Sequence, residues 1–380
     1  MGKKQLVVIA LIFVCGLMFE KLAIGGEKST IPFDSDNWEM TGEYKREIYL
    51  GQDCLLMKQG ARAILKKTEF SDGIIEFDVA FPKMRGFAGV MWRLADSENY
   101  EEFYMRAHQS GNPDANQYTP VFNGSPAWQL YYSGRGFGAP IQYLDNEWMR
   151  AKIIVSGQNA LLYIKDMDIP EISVELLRET QKGKIGFKVM GDKTNLFYAR
   201  FANFSFISSS IPIIIEPNNI ETAKKGTIMS WAVSSLTEEE ELDGKFFLTQ
   251  DDKDSLAWSV LNTESSGIAN ISKLYARSKD NNTVFMKVII NSKKKQLKKI
   301  MLGYSDRIRV FFNDKVFYSG NNTYKSRDYR YLGSIGYFDE IYLPLKKGKN
   351  ELWMAVSESF GGWGLKAKFE NMDGITLNTK

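Results

Sequence analysis

The sequence predicts an all-β fold: two β-sandwich domains in tandem after an N-terminal signal peptide. Three observations carry this reading. Short apolar runs alternate with period two between clusters of turn residues, amphipathic helical patterning is almost absent, and the first 25 residues have the make-up of an export signal.

The chain opens with Met1, Gly2, Lys3 and Lys4, followed by an apolar run from Leu6 to Phe19. These 14 residues suit a signal-peptide core, and a helix spanning a bilayer needs roughly 20. Small residues at Ala23 and Gly25 place cleavage before Gly26 and give a signal peptide over residues 1–25. A lipoprotein signal ending at Cys15 is the rival, and Phe13-Val14 suits it poorly because a small residue should precede the cysteine. No other segment is long and apolar enough to span a membrane, so the expectation is a secreted protein, periplasmic or at the cell surface. Cleavage leaves Cys54 as the single cysteine. Without a disulfide, a large core has to stabilise the fold. The net charge of +3 falls to about +1 once Lys3, Lys4, Lys21 and Glu20 are removed. So balanced a chain argues against nucleic acid as partner.

Some 355 mature residues suggest two domains. Residues 208–226, rich in Ser, Pro and Asn, lack periodicity and read as a linker. The first domain, 30–207, shows its alternation best over 74–81, where Ile75, Phe77, Val79 and Phe81 share one face and Glu76 and Asp78 the other. Further strands are expected at 89–94, 101–107, 127–131, 151–155, 160–164, 184–189 and 197–206. The second domain, 227–376, offers strands at 283–290, 307–313, 316–318, 340–344, 351–357 and 363–369, with a tight hairpin turn at Asn313-Asp314-Lys315.

The densest chemistry lies between Tyr100 and Tyr132. It holds the only histidine, His108, with Arg106, Gln109, Asn112, Asp114, Asn116 and Gln117, among Tyr104, Tyr118, Trp128, Tyr131 and Tyr132. Amides, carboxylates and guanidinium groups bond hydroxyls while an aromatic ring covers the apolar face of a pyranose, so this composition suits a sugar. A surface loop whose aromatics simply pack is the alternative. Alternation puts Glu102, Tyr104, Arg106 and His108 on one strand face, Arg93 on the next strand, and Gln129 with Tyr131 on a third. If these strands share a sheet with Glu76 and Asp78, they form a charged floor. His108 is expected to be partly accessible and to meet ligand in its neutral form, since Arg106 lowers its pKa.

Two family resemblances are carried by particular runs of residues. Residues 30–207 resemble the concanavalin A-like jelly roll shared by laminin-G modules, lectins and laminarinase-type glycosidases, and most nearly its 3-keto-disaccharide hydrolase-like branch. The matching runs are Gly73–Val79, Gly86–Arg93, Glu147–Val155 and Gly183–Phe187. Residues 227–372 resemble the galactose-binding-like jelly roll, through 309–314 and 343–350. The first resemblance implies glycan binding on a concave sheet. The second implies a glycan-binding or supporting accessory domain.

Catalysis by glycosidic hydrolysis needs two carboxyls about 5–5.5 Å or roughly 6.5–9.5 Å apart. Glu76 and Asp78 are candidates, with Glu102 and His108 beside them. Laminarinase-type enzymes carry Glu-x-Asp-x-x-Glu, and here Phe81 stands in the last place, so the acid/base is missing from the motif. If the chain is an enzyme, a glycosidase acting on O-glycosyl bonds is the expectation. No cofactor is called for. Asn112, Asp114 and Asn116 alternate as oxygen donors and leave calcium open, although the rest of a twelve-residue calcium loop is absent. Zinc has no support with one histidine and one mature cysteine. In the second domain, 319–331 mixes amides, arginines and tyrosines, and Gly361-Gly362-Trp363-Gly364 could place an exposed indole beside it; a loop packed over the sandwich and an interface with the first domain are the alternatives. The sequence thus favours a secreted carbohydrate-binding protein, with a hydrolase and a non-catalytic cell-surface interaction module as alternatives.

Overall fold

The computed structural model describes residues 26–34, 36–179, 181–191, 196–210, 216–219 and 221–379. The expected signal peptide and part of the expected linker lie outside them. Nearly all regular structure is strand, and no helix among the described residues is long and apolar enough to cross a membrane.

Two sheets build the first sandwich. An eight-stranded antiparallel sheet runs in the order Ile172–Glu175, Asn159–Ile164, Met149–Ser156, Gly73–Ala80, Tyr198–Ser208, Gln52–Lys58, Tyr44–Tyr49, with Ser29–Thr30 paired to Tyr198–Ser208. A six-stranded sheet runs Trp38–Thr41, Arg62–Leu65, Lys184–Met190, Phe87–Asp96, Asn99–Arg106, Asn116–Val121. The period-two pattern at 74–81 does what it promised: Ile75, Phe77 and Val79 are fully buried. Phe77 meets Phe187 at 5.0 Å between ring centres, and Phe187 meets Phe201 at 4.7 Å, so rings from both sheets interlock. Gly73 opens its strand at φ +139°, and a Cβ there would lie 1.8 Å from the Ile207 carbonyl oxygen, so only glycine fits. Cys54 is buried mid-strand, its thiol donating to the Glu47 carbonyl at 3.3 Å, and burial pushes its pKa up to about 11.

The second sandwich has a seven-stranded sheet in the order Trp258–Asn262, Ser230–Ser234, Thr283–Ser292, Gly348–Ser357, Arg307–Phe312, Lys315–Asn321, with Ile375–Asn378 on Thr283–Ser292. Facing it is a four-stranded sheet of Ala269–Asn270, Gly364–Phe369, Gln296–Tyr304 and Asp339–Leu345. Trp231, Trp363, Val310 and Met354 lie in the shared core. Asn313 and Asp314 both take left-handed conformations, φ 46° and 72°, at the tight turn expected over 313–315, which closes as a two-residue hairpin because Lys315 already pairs with Phe312. A satellite cluster of Leu242, Leu248, Phe285, Phe311 and Trp353 also forms, outside the main core.

The chain groups into two compact units. One takes in the described residues up to Ala95 with Phe103–Asn116 and Gly138–Asn218. The other takes in Asp96–Glu102, Gln117–Phe137 and Asn219–Lys380. One expected strand is absent: residues 127–131 form turns, with Ala127 at φ 31° and the Leu130 N–H donating to the Ala127 carbonyl at 2.9 Å.

Candidate functional site

The expected single floor does not form, because its members belong to different sheets. Glu76 and Asp78 sit on the eight-stranded sheet, whereas Arg93, Glu102, Tyr104 and Arg106 sit on the six-stranded one. The strands Phe87–Asp96 and Asn99–Arg106 are buried at almost every position, so both of their faces are covered.

Arg93 corrects the alternation most sharply. Its left-handed φ of 48° breaks the phase of the strand, and it is 1 % exposed. Its guanidinium donates to the Ser71 carbonyl at 2.8 Å and the Gly157 carbonyl at 2.6 Å, and lies 3.4 Å from the Asp72 carboxylate. That is a clamp across turns, not a ligand contact. Glu102 is fully buried. Arg106, also buried, donates to the Tyr104 hydroxyl at 2.9 Å and the Asp114 carbonyl at 2.8 Å, with its guanidinium 5.0 Å from the Tyr104 ring centre.

Gln117, Gln129 and Tyr131, expected to face ligand, are buried and engaged inside the second unit. Gln117 donates to the Trp128 carbonyl at 2.9 Å, Gln129 to the Leu332 carbonyl at 2.8 Å, and the Tyr131 hydroxyl to Glu264 at 2.6 Å. For Gln129 and Tyr131 the reason is the turn at 127–131, which replaces strand alternation and sends their side chains inward; Gln117 lies on the strand Asn116–Val121, where every residue is buried.

A polar rim does remain on the first unit, at His108, Gln109, Asn112 and Asp114, all at least partly exposed. His108 is half-buried and packs edge-on to Phe87, with centroids 5.5 Å apart. Burial lowers its pKa, the Arg85 and Arg106 charges push the same way, and Asp114 opposes them. The Gly86 N–H donates to Nδ1 at 3.4 Å, which leaves the proton of the neutral ring on Nε2. Asn112 donates to Gln109 Oε1 at 2.6 Å, while Asn116 is buried and spends Oδ1 on the Ala139 N–H at 2.9 Å. The three alternating oxygen donors are thus not arranged around one point, and among the described residues no group of three His, Cys, Asp or Glu could hold a metal.

The outer face of the eight-stranded sheet brings together what the sequence had scattered. Arg150 lies opposite Asp78 in register and Lys152 opposite Glu76. Arg150 bridges both acids, at 3.1 Å to Asp78 and 3.2 Å to Glu76, and Asn203 donates to Asp78 at 2.6 Å. Lys28 adds a 2.7 Å contact to Glu76. Burial alone would raise the Glu76 pKa, but the bonded Lys28 ammonium and the Arg150 charge outweigh it and hold the carboxyl below its usual range. Further along the face, Arg200 donates to Glu47 at 2.6 Å and lies over two rings, 3.8 Å from the centre of Tyr49 and 4.8 Å from that of Tyr198. Trp148 meets Tyr49 edge-on at 6.0 Å and donates to its carbonyl at 3.1 Å; the Tyr49 hydroxyl donates to the Asn146 carbonyl at 2.7 Å. All three aromatics are only half-buried. Glu47, Tyr49, Trp148, Arg150, Tyr198 and Arg200 were missed because their strands or their turn lack clean alternation. The available signal was Glu147-Trp148-Met149-Arg150, an aromatic and an arginine at the mouth of a strand.

No family model matches the chain, and no curated protein matches it. Among solved structures, the chain is similar to a protein of unknown function with a galectin-like fold from Bacillus subtilis, at 14% identity over 48% of this chain and 96% of that one, TM-score 0.35. It is also similar to a carbohydrate binding module from Bacillus subtilis, at 15% identity over 46% and 98%, TM-score 0.34. A Bacillus licheniformis beta-glucanase matches at 11% identity over 49% and 99%, TM-score 0.35. At such levels these likenesses settle no function, which has to be read from the chain's own residues.

Proposed function

We propose that this is an exported carbohydrate-binding protein that holds an oligosaccharide on the outer face of its eight-stranded sheet. One observation carries the reading: half-exposed Tyr49, Trp148 and Tyr198 adjoin planar polar groups fixed by mutual bonds, Arg150 with Asp78 and Glu76, and Arg200 with Glu47. Pre-bonded partners lose little entropy when a hydroxyl inserts among them, and the rings supply apolar faces for sugar C–H groups. Export rests on the N-terminal sequence. Hydrolysis is the weaker reading, because Glu76 is held ionised by Lys28 and Arg150 and so lacks the proton a general acid must give.

Retention on immobilised polysaccharides, followed by calorimetry with the retained oligosaccharide, tests the reading. Trp148→Ala and Arg150→Gln are each expected to weaken binding by roughly tenfold, about 1–2 kcal/mol. His108→Ala, in the turn that follows the strand Asn99–Arg106, is expected to leave it unchanged. Retention by no polysaccharide, or affinities indifferent to both substitutions, would sink the proposal. Product release from the oligosaccharide would revive the hydrolase.

A further inference from the structure

The second unit carries a cleft of about 280 Å³, lined by Glu239, Leu242, Asp243, Arg307, Arg309 and Ser319 among others. It lies on the strand Arg307–Phe312, whose alternation puts Arg307 and Arg309 on one face and buries Ile308 between them. The two arginines differ in how their charge is met. Arg307 is matched: its guanidinium binds both oxygens of Glu239, at 2.7 Å on one arm, and adds the Ser359 hydroxyl at 2.7 Å. Arg309 is not. One arm donates to the Leu242 carbonyl, and among the described residues it has no carboxylate partner. A guanidinium has five N–H donors in a planar fork, so a half-buried one bonded to a single carbonyl retains an edge that fits a carboxylate.

We infer that this cleft is a binding site for a carboxylate-bearing sugar ring, a uronate, with Arg309 receiving the carboxylate. The volume lies just under the roughly 300–1,000 Å³ of pockets for drug-sized ligands and so suits a single ring. Ser319, exposed on the neighbouring strand directly across from Arg309, is placed to meet a ring hydroxyl. The Glu239–Arg307 pair fixes one wall and contributes little net charge. Asp243 is the one lining acid without an ion-pair partner among the described residues, and it opposes an anion. It therefore gives a variant of the opposite sign. The saccharide character of the ligand rests on the proposed function; the carboxylate requirement does not, and it sits in a different unit.

Calorimetry on the full chain with galacturonate, glucuronate, galactose, glucose and acetate tests the inference. The uronates are expected to bind about tenfold more tightly than the neutral sugars and acetate, with affinity falling as salt rises. Arg309→Gln should abolish that preference, Arg309→Lys should keep only part of it, and Asp243→Asn should tighten uronate binding roughly two- to fivefold. Circular dichroism melts establish that each variant is folded. Uronates that bind no better than galactose, or no better than acetate, overturn the site. So does a preference that survives Arg309→Gln. Trp148→Ala leaves uronate binding intact on this reading, so loss of binding on the first unit and loss here are separate results.

Discussion

Replacing Arg93 by alanine is expected to destabilise the first unit by about 3–5 kcal/mol, the usual cost of breaking a buried ion pair from one side. Arg93 leaves the six-stranded sheet and reaches the turn before Gly73–Ala80 through Ser71 and Asp72, and the turn at Gly157 between two further strands. The Gly157 N–H donates to the same Asp72 oxygen at 2.6 Å, so one guanidinium and one carboxylate close a ring of bonds between the sheets. Without the arginine, the Ser71 and Gly157 carbonyls lose their guanidinium donor, and exposed Gly157 can turn to water instead. Asp72 is partly exposed, which moves the expected loss toward the lower end of the range. Arg93→Met, which keeps the stem and removes the fork, should lose most of the same amount, and Arg150→Ala, whose pairs with Asp78 and Glu76 are part-buried, should lose less. Urea unfolding checks this, read on the transition of the first unit because two units need not unfold together. A wild-type midpoint for Arg93→Ala, coupled with lost glycan retention, would return Arg93 to a ligand site.

The strands at 73–80, 184–190 and 351–357 were legible because one face carries Phe, Ile, Leu, Met or Val at every second place. The hairpin at Asn313-Asp314 was legible from turn chemistry alone. Strands such as Tyr44–Tyr49 and Trp258–Asn262 were not, since their exposed edges carry Lys, Arg, Glu, Ser and Asn with no apolar rhythm. The site was read less well than the fold, for two physical reasons. A single left-handed residue, Arg93 or Ala127, inverts every later side chain on its segment, and φ is not written in composition. Polar residues crowded in sequence also need not face water. Arg106, Asn116, Gln117, Gln129 and Tyr131 satisfy carbonyls, amides and one another inside the protein, so their density marks buried irregular backbone in want of donors and acceptors. His108 is half-buried, and burial with the Arg85 and Arg106 charges lowers its pKa against the Gly86 N–H and Asp114.

The second large effect is expected at Glu358, where stability should fall as pH rises. Glu358 and Asp306 are each 2 % exposed and serve the same turn: Asp306 accepts N–H bonds from Ser359 at 2.6 Å and Phe360 at 3.1 Å, and Glu358 accepts one from Gly362 at 3.1 Å. Burial, reinforced by the Asp306 charge, pushes the Glu358 pKa well above the carboxylate range. Burial raises Asp306 too, against the pull of its N–H donors and Arg307. Arg277 is the other cation facing Glu358, and Arg307 is largely taken by Glu239. A carboxyl whose folded pKa is raised binds its proton more tightly in the native state. Its contribution is therefore complete below the unfolded value, about 4.3, and is lost toward the folded value at up to about 1.4 kcal/mol per pH unit. His108 works in the opposite sense: its lowered pKa makes stability rise with pH up to about 6.5, so the wild-type profile mixes the two signs. Glu351 and Asp252, both held at about 2, matter only in stronger acid. Glu358→Gln isolates the effect, since the amide cannot ionise and fills the same space. The variant and wild type should be close in stability near about pH 5, and the variant should gain on wild type steadily toward about pH 8. The turn also presents the Gly361 carbonyl to the Gln129 N–H at 2.9 Å, and Phe360 lies edge-on to Trp128 at 5.7 Å, so tryptophan fluorescence gives a local readout of the same loss. A difference between wild type and Glu358→Gln that stays flat across that range would mean Glu358 does not hold its proton there, and that its burial is compensated by charge.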